Sequence, residues 1–245
     1  MKQFISGFLF LFSLLINAAS AAEIPDSVTA TLDRILPGYS RSDITPSPVD
    51  GLYQFTGQGR VLYISSDGKY IISGDVIDIA TKQNLTEKAQ SKVTRKLIED
   101  YPENKMIVFD AEGEARHTIT VFTDVDCPYC GLLHKEVPKL NKAGIKVRYL
   151  LYPRAGLDSP TYQKSVSTWC NEDQKTAIGI AKNGGAVPPL TCDNPVKEQF
   201  ELGELIGVTG TPTLVLESGK ILPGYVPAPE LIKYLDNAAG EGQEK

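Results

Sequence analysis

The sequence predicts an exported protein in which a small unit with one helix and an antiparallel sheet precedes a larger layered α/β unit. Three observations support this fold class: an apolar N-terminal run that ends in small residues, short strand-like segments with turn residues across residues 39–80, and alternating strand and helix patterns from Lys105 onward. The 245 residues allow one large domain or two small ones. A net charge of −5 gives no reason to expect general affinity for nucleic acid.

Residues 1–22 have the pattern of a secretory signal peptide. Lys2 supplies a positive start, residues 4–16 form a nearly unbroken apolar run, and AASAA at residues 18–22 offers a cleavage site. The alternative is an uncleaved membrane anchor, but the apolar run is short for a membrane span. After cleavage we expect no membrane insertion, because no other segment is long and apolar enough to span a bilayer.

Residues 23–83 are predicted to form the first folded unit. Apolar residues at near-helical spacing predict a helix that ends before Pro37, and the Asp67-Gly68 pair is a strong hairpin signal between two strand-like runs. The unit has no histidine, cysteine or glycine-rich phosphate loop, so an interaction role is expected rather than catalysis. The predicted elements are a helix over residues 24–36 and strands over residues 61–65, 69–73 and 75–79.

Residues 84–104 are predicted to form a helical linker. Asn84 followed by Glu87 resembles a capping box, and Pro102 stops the pattern. The interior is mostly polar with few apolar positions, which is typical of a solvated helix between two domains. A disordered linker is the alternative, and the capping signal favours the helix.

Residues 105–240 are predicted to form the second unit, in which strands and helices alternate around one sheet. The stretch from residue 159 to about residue 192 has a helical pattern and interrupts this alternation as an insertion. The predicted strands cover residues 106–109, 118–123, 147–152, 213–216 and 221–222. One predicted helix runs from the Cys-Pro-Tyr-Cys segment to about Asn141, and further helical pattern covers residues 159–205 and 229–236.

The segment Cys127-Pro128-Tyr129-Cys130 has the spacing of a redox centre. A disulfide exchanger needs one thiolate that attacks and a second thiol within reach that releases the mixed disulfide. At the start of a helix the backbone amides and the macrodipole favour the thiolate of the first cysteine. Cys127 is therefore predicted to be the nucleophile and Cys130 the resolving thiol, with Pro128 suited to the first helical turn.

Two other interpretations of this motif are less favoured. Half of a zinc site would need two further ligands at a usual spacing, and neither the histidines His117 and His134 nor the well-separated Cys170 and Cys192 provide them. A purely structural disulfide within the motif would close a small, strained ring. We therefore expect no metal and no cofactor. In an exported protein the even number of cysteines indicates disulfides, and four cysteines allow three pairings.

The nine residues 122–130, FTDVDCPYC, resemble the active-site segment of the DsbC/DsbG family of periplasmic thiol:disulfide isomerases. The resemblance covers most of the mature chain and is closer to the DsbC type, although the Pro-Tyr dipeptide resembles the DsbG type. Further matching segments are YISSDGK at residues 63–69 with Gly74, KMIV at residues 105–108, GTPT at residues 210–213, and Gly224-Tyr225.

The resemblance implies an N-terminal cystatin-like dimerisation domain, joined by a helical linker to a thioredoxin-like domain with a helical insertion. Two chains would form a V-shaped homodimer with both active sites facing one cleft. In the implied site, Pro212 follows a cis peptide bond and lies against Cys127, while Thr211 offers backbone groups to the substrate; an ordinary trans turn is the alternative. Cys170 and Cys192 would form a structural disulfide.

Three positions near the motif affect the chemistry of the thiols or the binding of substrate. Thioredoxins proper carry a buried acid six residues before the nucleophile, where this chain has Val121, so proton removal from Cys130 must use other groups or water. The charge of Asp126 would raise the pKa of Cys127 if the carboxylate lay close, and a solvent-facing carboxylate is the favoured alternative. Tyr129 is predicted to be a surface aromatic residue that shapes the substrate groove.

The function implied by the resemblance is isomerisation of wrongly paired disulfides in secreted proteins in the periplasm, together with chaperone activity. The partners would be misoxidised secreted proteins, a second copy of the chain, and a membrane reductase of the DsbD type as electron donor. The alternatives are a DsbG-like chaperone or thiol reductase that protects single cysteines, a chaperone whose thiols are secondary, and a disulfide oxidase. An oxidase would not need the N-terminal domain.

Overall fold

The computed structural model describes residues 23–241, and side chains up to residue 238. The predicted signal peptide, residues 1–22, lies outside this range. Within the range, no helix has both the length and the apolar character needed to cross a membrane.

The first unit is a helix packed on a four-stranded antiparallel sheet with strand order β1-β2-β3-β4. One side of helix α1 is buried through Val28 and Leu32, which contact Phe55 and Ile64 of the sheet. The apolar side of the helix therefore packs on the side of the sheet to which the apolar strand residues point. The elements are α1 (Asp26–Ile35), β1 (Ile44–Pro46), β2 (Leu52–Gly57), β3 (Arg60–Ser65) and β4 (Ile71–Ile72).

The hairpin predicted at Asp67-Gly68 is present, but its second strand begins later than predicted. The Asp67 carboxylate accepts hydrogen bonds from the Ser65 hydroxyl and the Lys69 amide, which lengthens the turn and leaves only two residues in β4. Gly68 has φ +69°, and a Cβ there would lie 2.3 Å from the Ser27 carbonyl oxygen of α1. Only glycine allows this turn to approach the helix so closely.

The strand predicted over residues 75–79 is shorter and does not join the main sheet. It forms β5 (Ile77–Asp78), which pairs antiparallel with β6 (Gln83–Asn84) in a separate two-stranded ribbon. Helix α2 (Leu85–Asp100) follows directly, and the Asn84 side chain accepts a hydrogen bond from the Glu87 amide. This is the capping contact that the sequence predicted.

Helix α2 contacts both units. At its first half, Gln90 donates a hydrogen bond to the Gly59 carbonyl oxygen of the first unit. At its second half, Ile98 is buried in the core of the second unit. The turn after β10 also lies against it, because a Cβ at Gly219 would be only 1.9 Å from the Ser91 carbonyl oxygen.

The second unit is built on a five-stranded sheet with strand order β11-β10-β8-β9-β7. The central strands β8 and β9 are parallel and α3 connects them, whereas the other pairs are antiparallel. Parallel neighbours require such a crossover connection. The elements are β7 (Ile107–Phe109), β8 (His117–Thr123), α3 (Pro128–Lys142), β9 (Ile145–Leu151), β10 (Thr213–Leu216), β11 (Ile221–Pro223) and α7 (Ala228–Glu241).

Each face of this sheet is covered by helices. Successive residues of β8 point to opposite faces, so Val121 packs in one apolar cluster and Phe122 in the other. The first cluster includes Leu133 and Val137 of α3, Ile178 and Ala181 of α5 (Gln174–Lys182), and Leu231 and Leu235 of α7. The second includes Ile98 of α2 and Leu202 and Ile206 of α6 (Val196–Ile206).

The helical stretch predicted over residues 159–205 consists of three helices, α4 (Pro160–Trp169), α5 (Gln174–Lys182) and α6 (Val196–Ile206). The sequence predicts interruptions of this stretch at Gly184-Gly185 and at Pro188-Pro189, and both fall between α5 and α6. A further break before α5 was not predicted, and there Asp173 caps the new helix by accepting a hydrogen bond from the Thr176 amide. A disulfide joins Cys170, at the end of α4, to Cys192, so the bridge closes a loop that contains all of α5.

We expect the Cys170–Cys192 bridge to stabilise the second unit by about 3 kcal/mol in the chain-entropy model, given the 22-residue separation of its cysteines. The double variant Cys170→Ala/Cys192→Ala should lose this amount in denaturant unfolding. Its stability should equal that of the wild-type protein after reduction of the bridge, and reductant should not lower it further. An unfolding midpoint unchanged by either treatment would contradict the expectation.

Candidate active site

Cys127 lies at the start of α3, just beyond the carboxyl end of the central strand β8. It is the N-cap residue with extended backbone angles, and its carbonyl oxygen accepts the first hydrogen bond of the helix from Gly131. Pro128 occupies the first helical position, where an amide hydrogen is not needed. The sulfur of Cys127 is thus placed in the positive field of the helix N-terminus.

A second loop reaches the motif at the same edge of the sheet, because β10 begins at Thr213 opposite Phe122, near the end of β8. The peptide bond between Thr211 and Pro212 is cis, and the Cys127 thiol donates a hydrogen bond to the Thr211 carbonyl oxygen at 3.2 Å. The buried Thr211 hydroxyl has no hydrogen-bond partner among the described residues, and the interaction of the Thr211 side chain with Cys127 lowers the pKa of that thiol. Both motif cysteines are free thiols in this structure, and both are buried.

The pKa values of the two thiols are shifted in opposite directions. Burial alone would raise the pKa of Cys127, but hydrogen bonds involving Thr211 and Cys130 and the charge of Arg154 outweigh it, so the pKa lies below its ordinary value. For Cys130, burial dominates and raises the pKa, although the positive charge of Lys182 opposes the shift. Because the thiolate is the attacking species, this asymmetry suits Cys127 to attack and Cys130 to wait as a thiol.

The arginine that helps to lower the pKa of Cys127 is held next to the motif by an ion pair. The carboxylate of Asp124 is buried and accepts hydrogen bonds from both the backbone amide and the Nε of Arg154, at 3.0 and 3.1 Å. Our reading of the sequence missed both residues. A signal was available, because each follows an apolar strand, and the parallel strands β8 and β9 end at the same edge of the sheet.

Asp126 does not face the sulfur as an unpaired charge. Its carboxylate accepts hydrogen bonds from Lys164 Nζ at 2.6 Å and from Thr161 Oγ1 at 3.0 Å, both on α4. Partial burial would raise its pKa, but these contacts outweigh burial and lower the pKa. The expectation of a solvent-facing carboxylate was therefore incomplete: Lys164 balances the charge that would otherwise oppose a thiolate at Cys127.

The surface around the motif is partly apolar. Tyr129 is 61% exposed, as expected for a surface aromatic residue, and Leu132 on the next turn of α3 is also exposed. Large apolar side chains beside a reactive sulfur provide contact area for an unfolded or misfolded protein chain.

Comparison with known protein families supplies the deciding observation. A family model described as a disulfide bond isomerase protein N-terminal domain matches residues 17–87, and a model described as a thioredoxin-like domain matches residues 103–239. The thiol:disulfide interchange protein DsbC of Escherichia coli K12 is 39% identical over 233 residues, which cover 94% of this chain and 95% of that protein. The chain belongs to the DsbC family.

Other relatives agree with this assignment. The DsbC protein of Dickeya dadantii is 37% identical to this chain, in an alignment that covers 92% of this chain and 93% of that protein. The DsbC protein of Haemophilus influenzae is 32% identical, with 94% of this chain and 98% of that protein covered. The crystal structure of a disulfide interchange protein from Neisseria gonorrhoeae superimposes on this chain with a TM-score of 0.50 and 33% sequence identity. The superposition covers 56% of this chain and 97% of the gonococcal chain. The family and the fold class predicted from the sequence are confirmed. The DsbC-family chain is a thiol:disulfide oxidoreductase.

Proposed function

We propose that this DsbC-family chain isomerises wrongly paired disulfides of secreted proteins through Cys127 and Cys130. The observation that supports this most directly is the asymmetry of the two thiols, with a lowered pKa at the N-cap cysteine and a raised pKa at the buried one. The Cys127 thiolate attacks a client disulfide and forms a mixed disulfide, and the released client thiolate is then free to attack another bond of the same client. Cys130 releases the client when no rearrangement follows.

The residues beside Cys127 are proposed to hold the client in place. In this proposal Thr211 and Pro212, on the cis loop, offer backbone groups to an extended client segment, and Tyr129 forms one side of the groove. The Thr211 carbonyl oxygen already lies 3.2 Å from the attacking sulfur, so a client strand on this loop would bring its own sulfur close to Cys127.

Isomerisation can be separated from oxidation by its electron balance. Rearrangement of disulfides changes no total thiol count, whereas an oxidase or a reductase must gain or lose two electrons per bond. The test is recovery of native activity by a scrambled, fully oxidised secreted protein on addition of the reduced chain in catalytic amount. Recovery with a constant total of client thiols supports isomerisation. Recovery only with added oxidant or reductant in stoichiometric amount contradicts it and favours an oxidase or a single-cysteine reductase.

The same chemistry determines the proposed surroundings of the protein. Only the reduced form can attack, and release of a client by Cys130 leaves the motif oxidised. The chain must then be reduced again, a role that we assign to a membrane reductase of the DsbD type. We propose that the mature protein is located in the periplasm. Its similarity to DsbC proteins and the signal-like N-terminal sequence support this location. We also retain the proposed division into residues 23–83, the linker 84–104 and the catalytic unit 105–240 with an insertion over about 159–192.

The second protomer of a proposed homodimer would pair at the edge of the first sheet. Strand β4 lies at that edge and hydrogen bonds only to β3 among the described strands. Large exposed apolar residues are concentrated on β4 and on both sides of it in the sequence, which marks residues 70–79 as a pairing surface. They are Tyr70, Ile71, Ile72, Ile77 and Ile79. A Cβ at Gly74 would meet no atom within 4 Å, so close packing within the chain does not explain this glycine.

Ile72→Lys should convert the dimer to a monomer, because it places a charge in the proposed apolar interface. Val49→Lys is the matched control: Ile72 is 44% exposed and Val49 is 42% exposed, but Val49 lies in the loop between β1 and β2. Sedimentation velocity of the mature chain and both variants checks this. A wild-type monomer, or an Ile72→Lys protein that stays dimeric at micromolar concentration, contradicts the proposed interface.

A further inference from the structure

Deprotonation of Cys130 is a step for which the motif itself provides no acceptor. Cys130 is buried and its pKa is raised by burial, yet it must become a thiolate to break a mixed disulfide. The acid that thioredoxins proper carry six residues before the nucleophile is replaced by Val121, which is buried among apolar residues. Another group close to Cys130 must take this proton.

Lys182, the last residue of α5, is a buried lysine next to the motif. Its Nζ lies 2.6 Å from Thr123 Oγ1 and 3.2 Å from the Asp124 carbonyl oxygen. Both oxygens are neutral, so neither contact requires a charged lysine: a free amine has two N–H donors and a lone pair that accepts a proton. Burial of an ammonium group costs more than burial of an amine, which shifts the equilibrium of Lys182 toward the neutral form relative to an exposed lysine.

Thr123 connects this lysine to the resolving thiol. Its hydroxyl oxygen accepts a hydrogen bond from Lys182 Nζ, and the interaction of the Thr123 side chain with Cys130 lowers the pKa of that thiol against the effect of burial. The backbone of α5 approaches the motif as well, since a Cβ at Gly131 would lie 3.0 Å from the Lys182 carbonyl oxygen. The helix that the Cys170–Cys192 bridge encloses therefore fixes a titratable group beside Cys130.

We propose that Lys182, acting through the Thr123 hydroxyl, takes the proton from Cys130 when the mixed disulfide is resolved. The inference rests on the proposed roles of Cys127 and Cys130 and identifies the residue that controls client release. Nothing in the sequence indicated it, because a lysine in the last turn of a helix is usually a solvated partner of the helix dipole.

The Cys130 proton passes to Thr123 Oγ1 while the Thr123 hydroxyl proton passes to the Lys182 amine. The Cys130 thiolate then attacks Cys127 Sγ, the Cys127–client S–S bond breaks as the Cys127–Cys130 bond forms, and the client sulfur leaves as a thiolate. In this step the Cys130 sulfur is oxidised and the client sulfur is reduced, while Cys127 passes from one disulfide to another. The leaving thiolate is protonated by solvent.

The charges around Lys182 are consistent with this role. Burial lowers the pKa of Lys182 to about 8, although nearby Cys130 and Asp124 oppose the shift. A lysine of this kind is present as the free amine in a useful fraction near neutral pH. The titratable and charged groups that face it are Cys127, Cys130 and His134 from the motif and α3, Asp124 and Asp126 from the loop after β8, and Tyr149 from β9.

Lys182→Met tests the proposal, with Lys175→Met as the matched control on an exposed position of the same helix. Each reduced protein is mixed with a symmetrical aromatic disulfide that releases a coloured thiol. The first release reports attack by Cys127, and the second reports resolution by Cys130. We expect Lys182→Met to slow the second release by about 100-fold at neutral pH, the size typical of a lost proton acceptor, with a much smaller change in the first. Lys175→Met should change neither.

The pH profile separates proton transfer from a structural effect. In the wild-type protein the rate of the second release should rise with pH and level off near pH 8, as the Lys182 amine is freed. In Lys182→Met it should continue to rise, because hydroxide then removes the proton. A second release that keeps the wild-type rate and profile overturns the role of Lys182. Loss of the first release in the wild-type protein would instead contradict the proposed function itself.

Thr123→Val provides a second test if Lys182→Met does not fold. Valine keeps the size of threonine and removes the hydroxyl that connects the two groups. We expect the second release to slow by at least about tenfold, with the first release little changed. An unchanged second release in folded Thr123→Val overturns the proposed proton path.

Discussion

Cys127→Ala should abolish thiol–disulfide exchange and leave no measurable rescue of a scrambled client. Cys127 has the lowered pKa, the N-cap position and the contact with the cis loop, so no other described thiol can replace it. Cys130 lies deeper and its pKa is raised by burial. The loss should equal the full catalysed rate, because the variant has no group that can form the mixed disulfide.

Cys130→Ala is the matched partner of this variant and should behave differently. Attack by Cys127 needs no second thiol, so mixed disulfides should form at near-normal rates and accumulate. Part of the isomerase activity should remain, since a rearranging client can release itself, whereas all net oxidation or reduction should be lost. Mass spectrometry of acid-quenched reactions measures the trapped adducts. Adducts on Cys130 in Cys127→Ala, or their absence in Cys130→Ala, would contradict the assigned roles.

Deletion of residues 23–80 should separate exchange from client rescue. The two units have separate apolar cores, with Leu32 and Phe55 in one and Val121 and Leu133 in the other, so the catalytic unit should fold without the first unit. We expect a monomer that exchanges small disulfides within about a factor of two of the full chain, because the residues around Cys127 all lie in the second unit. It should lose most rescue of scrambled protein, since a single unit provides no cleft to hold a client while bonds are tried.

The monomeric Ile72→Lys protein is the control for this deletion, because it keeps every residue of the first unit. If both proteins lose rescue and keep exchange, dimer formation is the missing property. If only the deleted chain loses rescue, the first unit contributes a surface of its own. Full rescue by the deleted chain would contradict the need for two domains and two chains.

The redox motif and the layered fold could be predicted from the sequence because each rests on a local pattern. Cysteine spacing, a proline at the first helical position and strand periodicity are all visible in consecutive residues. The first and last residues of β4 could not be predicted as well, because the Asp67 side chain extends the turn through hydrogen bonds that strand propensity does not reflect. The break between α4 and α5 was missed for a similar reason, since the cap at Asp173 forms within a stretch of helical pattern.

The electrostatic surroundings of the motif could not be predicted from spacing. Arg154, in the turn after β9, and Lys182, at the end of α5, lie far from Cys127 in the chain. Only the packing of the sheet and the helices brings them to the motif. Asp126 was judged from its sequence neighbour Cys127, whereas its actual partner is Lys164 of α4. In each case the missing information was a long-range contact made by a charged side chain, which a local sequence pattern does not specify.

The most direct test of the account is the rate of alkylation of each motif thiol as a function of pH. The reduced wild-type protein is treated with a limiting amount of iodoacetamide, and peptide mapping locates the modification. Cys127 should react first near neutral pH, and its rate should level off below the ordinary cysteine pKa of about 8.5, because its thiolate is stabilised. Cys130 should react slowly and only at higher pH. Faster modification of Cys130 than of Cys127 near neutral pH would contradict the account.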